Sequence, residues 1–137
     1  MESYRYLEHT ADIKFQAYGA TLEMVFTNSA YALVHLMYQG QVKEKHEFHI
    51  HAEGRDLESV LYSFLEDFIF LLDSKDFLLS RIKNLEIDAD TTCLEADVAG
   101  DDAGNYELEL GIKAVTYHDM FVKEELGRWI TQVVLDI

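Results

Sequence analysis

The stretch DLESVLYSFLEDFIFLL, residues 56–72, decides the architecture. Asp56 is a helix N-cap residue, whose carboxylate accepts from first-turn N–H groups that lack an intrahelical partner. Leu57, Val60, Leu61, Phe64, Leu65, Phe68, Ile69 and Leu72 then recur at helical spacing. That apolar stripe is too broad for a helix lying lightly on a surface, so this helix is expected to lie deeply against a sheet. A second helix precedes it. Thr21 serves as its N-cap, Glu23 complements the positive end of the helix dipole, and Gly40 ends the segment. Between them Leu22, Val25, Phe26, Ala30, Leu33, Leu36 and Met37 keep the same period.

Outside these helices the period changes from 3.6 to 2, the signature of strands. His46 to Ala52 alternates through Phe48, Ile50 and Ala52 and joins the two helices. Phe77 to Ala89 and Cys93 to Gly100 are separated by a hairpin-like break at Asp90-Thr91-Thr92, and residues 101–105 form a turn. Tyr106, Leu108, Leu110, Ile112 and Ala114 alternate with Glu107, Glu109, Gly111 and Lys113, which predicts a long half-buried strand. Glu125-Leu126-Gly127 turns into a final strand, Arg128 to Leu135, and Phe15 and Ala17 ahead of Gly19 predict a short strand near the start. The expected fold is α+β: a two-layer domain with two helices packed on one face of a mostly antiparallel sheet. With 137 residues, no repeat, no proline and no linker composition, one domain over residues 1–137 is expected.

Composition narrows the function classes. Hydrophobic residues make up 49 %, which excludes disorder as the main state. A single cysteine, Cys93, excludes an intramolecular disulfide, and on that count no thiolate zinc site is expected. The start MESYRYLEHTAD has no apolar targeting region, and the longest apolar run, Phe68 to Leu72, is too short for a membrane span. A soluble, reducing, cytoplasmic setting is therefore expected. The formal net charge is −15, from 11 Lys plus Arg against 26 Asp plus Glu. Nucleic-acid binding depends on cationic groups that neutralise phosphates, so direct binding to RNA, DNA or an anionic membrane is not expected. A basic protein partner suits this surface better. A plain solubility role for the acidity is the other reading.

Two clusters carry the candidate chemistry. Asp136 is followed by Ile137, whose α-carboxylate stands beside the Asp136 side chain, and Asp12 lies near the other end. If the fold joins the ends, three hard oxygen donors meet, a set suited to Ca²⁺, Mg²⁺ or Mn²⁺. The alternatives are an Asx-turn at Asp12 and a frayed terminus. The second cluster is Lys113-Ala114-Val115-Thr116-Tyr117-His118. Lys113, flanked by apolar residues, is expected to be partly buried and to need a carboxylate partner. His118 at a strand end reads as a ligand, a donor to a partner, or plain surface. His49 and His51 share a strand face, but no metal-ligand spacing with carboxylates is visible in the sequence. No glycine-rich phosphate loop, G-x-S-x-G or H-E-x-x-H is present.

The segments Tyr6-Leu7-Glu8-His9-Thr10-Ala11-Asp12, Lys113 to His118 and Val134-Leu135-Asp136-Ile137 together resemble the archease family. The resemblance extends over essentially the whole chain. It departs at Tyr106, where many members carry a histidine, and at Gly111-Ile112, where Glu-Val is usual. The resemblance implies a protein cofactor, not an enzyme: an activator of an RtcB-type RNA-splicing ligase that speeds ligase guanylylation and permits multiple turnover in tRNA maturation. It also implies a divalent cation, calcium first, on Asp12, Asp136 and the carboxylate of Ile137. His9, Lys113 and His118 are the expected partner-facing or supporting residues. Two alternatives stand beside this reading. One is a chaperone-like partner of tRNA methyltransferases; the other is a small metal-dependent hydrolase using His9 or His118 as acid and base.

Overall fold

Both helices begin as their sequences require. The computed structural model describes residues 1–7 and 12–137. Helix α1 spans Leu22–Met37, and the Thr21 hydroxyl accepts the Met24 N–H at 3.1 Å. Helix α2 spans Leu57–Lys75, with a reciprocal capping box at its start. The Ser59 N–H donates to Asp56 Oδ1 at 2.8 Å, and the Asp56 N–H donates to Ser59 Oγ at 3.2 Å. Two donors that the helix cannot satisfy are thereby bonded.

Among the described residues the strands are β1 (Tyr4–Leu7), β2 (Ile13–Gly19), β3 (His46–Glu53), β4 (Phe77–Asp88), β5 (Cys93–Asp102), β6 (Ala114–Glu125) and β7 (Arg128–Asp136). They form two antiparallel sheets, ordered β1-β2-β7-β6 and β3-β5-β4. The fold is α+β as expected, with its strands divided between these two sheets. Phe15, Ala17, Val133 and Leu135 from the first sheet meet Ile50, Ala52, Leu94, Ala96 and Val98 from the second in one core. Phe26 and Leu33 of α1 and Phe64 and Leu65 of α2 are fully buried in it. Within this core Ser29 Oγ lies 2.8 Å from Thr131 Oγ1, so the buried hydroxyls on α1 and β7 satisfy each other. No described helix is long and apolar enough to cross a membrane.

Three elements differ from the sequence reading. The stretch from Tyr106 to Lys113 is not a strand, although it alternates; β6 begins only at Ala114. This segment carries the chain from the second sheet to the first, and its backbone bonds go to scattered partners. The Glu109 N–H donates to the Met37 carbonyl and the Lys113 N–H to the Asp136 carbonyl, each at 2.8 Å. Tyr106 anchors its start, donating to Asp101 Oδ2 at 2.7 Å while accepting the Lys43 N–H at 2.9 Å. Strand β1 was not anticipated; its tyrosines tie it to α1, with the Tyr6 hydroxyl donating to the Ala32 carbonyl at 2.9 Å. Helix α1 stops at Met37, and its C-cap is Tyr38 ahead of Gly40.

Gly100 marks the tightest approach inside the second sheet. A β-carbon there would lie 2.1 Å from the Leu78 carbonyl oxygen and 2.7 Å from the Phe77 ring. Backbone cannot yield as a flexible side chain does. Gly100→Ala is expected to destabilise the fold by about 1–3 kcal/mol, read as a lower urea midpoint; an unchanged midpoint would show that the strands separate freely at this position.

Candidate functional site

The first candidate site lies at one end of the β1-β2-β7-β6 sheet. The β2–β7 ladder pairs Gly19 with Trp129 at one end and Ile13 with Leu135 at the other. Asp12 stands in a bend immediately before β2, and Asp136 is the last residue of β7, so both flank this end of the ladder. On the far side of β7, Asp136 pairs with Ala114, and its carbonyl accepts the Lys113 N–H. Strand alternation places Lys14 on the same face as its partner Val134, and with Val134 also Asp136, opposite the core-facing Phe15 and Leu135. Asp12 is half-buried, Asp136 is exposed, and Ile137 is 38 % exposed. Carboxylate oxygens are the donor type that a hard divalent ion takes.

The other expected residues are placed differently. His9 lies outside the described residues. Lys113 is exposed, not partly buried as expected, because it precedes the strand and only its main-chain N–H reaches Asp136. Lys14, which the sequence reading missed, is the lysine two positions after Asp12; its Nζ lies 3.4 Å from Asp119 Oδ2. His118 is exposed on an irregular part of β6 between Thr116 and Phe121, where the register shifts against β7. Its N–H donates to Thr116 Oγ1 at 3.3 Å, and its Nε2 lies 3.4 Å from Asp119 Oδ2. Asp119 takes a φ of 54°, the left-handed region that favours short polar side chains, and its carbonyl accepts from Gln132 Nε2 at 2.8 Å. Helix α2 steadies this region. Glu66 Oε2 accepts the Val115 N–H at 2.8 Å, and Tyr62 stacks on Tyr117 with ring centroids 4.3 Å apart.

A second cluster covers the outward face of β3 and β5. His49 faces Asp97 and His51 faces Glu95 across the ladder. His49 Nδ1 lies 2.8 Å from Asp97 Oδ1, and His51 Nδ1 lies 2.6 Å from Glu95 Oε2. These bonds raise both imidazole pKa values, Asp97 and then Glu95 acting on His49, and Glu95 and then Glu53 on His51. In return His51 lowers the carboxyl of Glu95, and His49 that of Asp97. Beside this strand on α2, burial pushes the half-buried Asp67 up to about 6, with Glu66 adding to the rise and His51 opposing it.

A raised carboxyl pKa means that the fold favours the protonated form. Its contribution is complete below the ordinary value of 3.8 and is lost as pH rises through about 6. Asp67→Asn is therefore expected to stabilise the protein at pH 7.5 by on the order of 1 kcal/mol, after discounting for the group's partial exposure. The gain should vanish near pH 3.5. Chemical denaturation at the two pH values measures it, and an equal gain at both would refute the burial argument.

Comparison with known proteins places this geometry among relatives. The Archease protein family (MTH1598/TM1083) matches residues 4–137. The chain is 38 % identical over 143 residues to the protein archease of Pyrococcus furiosus, covering 100 % of both chains. It is 35 % identical over 140 residues to that of Pyrobaculum neutrophilum, covering 98 % of this chain and 95 % of the relative. The solution structure of Methanobacterium thermoautotrophicum protein 1598 superposes with a TM-score of 0.78 at 31 % identity, over 100 % of each chain. An archease from Thermotoga maritima, described as a possible chaperone, shares the fold at a TM-score of 0.62 and 22 % identity, over 96 % of this chain and 94 % of that one.

Proposed function

As the chain belongs to the archease family, we propose that it activates an RtcB-type RNA-splicing ligase, promoting guanylylation and multiple turnover in tRNA maturation. The carboxylates of Asp12, Asp136 and Ile137 hold a divalent cation in this reading, Ca²⁺ ahead of Mn²⁺ or Mg²⁺. The observation that carries the cation site is the β2–β7 register, which brings the start of β2, next to Asp12, beside the end of β7 at Asp136 from distant parts of the chain. Bound there, the ion neutralises the carboxylates and ties the end of β7 to the entry of β2. The net charge of −15 supports a basic protein surface as the partner in preference to RNA itself. His9, Lys113 and His118 are the partner-facing candidates. His118 and the exposed ring of Tyr117 stand out on the irregular part of β6.

Multiple-turnover ligation by a cognate RtcB-type ligase, with and without this protein, tests the reading. Stimulation is expected from the wild type, and rates should fall to the unstimulated level with Asp12→Ala or Asp136→Ala. Stimulation retained by both variants would detach the carboxylates from activation. No stimulation at all would sink the activator reading. Protection of a tRNA methyltransferase from aggregation would then support the chaperone alternative, and phosphoester turnover lost on Asp12→Ala would support the hydrolase. A separate calorimetric titration with Ca²⁺ examines Ile137. Adding residues after it converts its carboxylate to an amide, and affinity should fall roughly tenfold, as removal of a charged ligand from an oxygen site predicts. Equal affinity would remove Ile137 from the ligand set.

A further inference from the structure

We propose a second metal site, for a borderline transition-metal ion of the Zn²⁺ class, formed by His51, Glu53 and Cys93 on the outward face of the β3-β5-β4 sheet. One ring nitrogen of His51, one carboxylate oxygen of Glu53 and the sulfur of Cys93 all lie within 4.8 Å of one another. The ladder explains the convergence. Glu53 and Cys93 are directly paired across β3 and β5, and His51 precedes Glu53 by two residues on the same strand face. Glu53 is exposed, Cys93 half-buried, and His51 exposed, so an ion reaches the cluster from solvent.

The orientation of His51 separates this cluster from a chance grouping of polar side chains. Glu95 Oε2 takes Nδ1 at 2.6 Å, which turns Nε2 toward Glu53 Oε2 at 3.2 Å. Two ligand atoms on a tetrahedral zinc, with bonds of about 2.0–2.1 Å, stand roughly 3.3 Å apart. The nitrogen and oxygen therefore already sit at a ligand-to-ligand separation. A carboxylate on the far ring nitrogen is the support that metal-bound imidazoles use to fix tautomer and ring plane. Glu95 is itself held from its other side, with Oε1 3.4 Å from His49 Nε2, and His49 Nδ1 lies 2.8 Å from Asp97. Positioning thus extends through a chain of alternating imidazoles and carboxylates along β3 and β5.

The ligand chemistry distinguishes this site from the carboxylate end of the other sheet. Imidazole and thiolate select zinc-like ions, whereas an all-oxygen set suits calcium or magnesium. Three protein ligands leave a fourth position for water. Binding removes the Cys93 thiol proton and any proton on His51 Nε2, both released to solvent as the metal takes their place. A single cysteine rules out a multi-thiolate finger, but a mixed site needs only one sulfur. The ion would clamp edge strand β3 to β5 where their ladder ends.

Titration of the full chain with Co²⁺ alone at pH 7.5, followed by absorption, tests the proposal. We expect a thiolate-to-cobalt charge-transfer band and intense four-coordinate visible bands, saturating at a single equivalent and displaced by Zn²⁺. Cys93→Ser should abolish the charge-transfer band. His51→Ala should weaken binding at least tenfold, and the positioning variant Glu95→Gln roughly tenfold with the band retained. Asp136→Asn should leave the band intact, because that carboxylate belongs to the other sheet. Absence of a thiolate band, its survival in Cys93→Ser, or its loss in Asp136→Asn would each overturn the site; circular dichroism confirms that the variants fold.

Discussion

The antiparallel pairing of β2 with β7 is the constraint on which the rest depends. It makes β7 an inner strand of the first sheet and aligns Phe15 and Ala17 with Val133 and Thr131 on the core face. The same register fixes what stands on the opposite face and at the ends of the ladder. Because side chains alternate with period 2, a one-residue slip of β2 would turn Phe15 and Ala17 to solvent and bring Lys14 into the core. The cost of that slip fixes the start of β2, next to Asp12, beside the end of β7 at Asp136. A core-packing requirement thereby sets the geometry of a polar site that contributes little to the core.

The acidity of the chain is handled locally. On the second sheet, Glu44 binds Arg81 through both carboxylate oxygens, and Glu47 meets Lys83 at 3.1 Å. Asp97 and Glu95 are engaged by His49 and His51, and Asp101 is held low chiefly by the Tyr106 hydroxyl. At the end of the first sheet the Asp136 carbonyl accepts the Lys113 N–H, and Lys14 lies 3.4 Å from Asp119. Two regions therefore differ in kind: a nitrogen- and sulfur-containing cluster on one sheet and an oxygen-rich end on the other. The division of the strands between two sheets is what keeps these ligand types apart.

Local features of this fold were readable from local sequence. The caps at Thr21 and Asp56, both apolar stripes and the 126–127 turn rest on residues within a few positions of one another. Where partners are distant, the reading failed in specific ways. Alternation from Tyr106 to Lys113 reported which positions are wet, but it carries no information about whether a neighbouring strand exists. Lys113 was assigned a buried role that its place before β6 does not allow, while Lys14 passed unnoticed. His49 and His51 showed no ligand spacing because Glu95 lies 46 and 44 residues from them along the chain.

By itself the sequence determined the fold class, both helices and most strands, since capping chemistry and hydrophobic period act over a turn or a strand. It also marked Asp12 and Asp136 as candidate carboxylate ligands. Only the tertiary structure decided that a strand register brings β2 and β7 together at the end where these two residues flank the ladder, that the strands split into two sheets, and that Cys93 meets His51 and Glu53. Those outcomes depend on pairing between strands far apart in the chain, which is selected by burial of the whole core and leaves no short-range trace in the sequence.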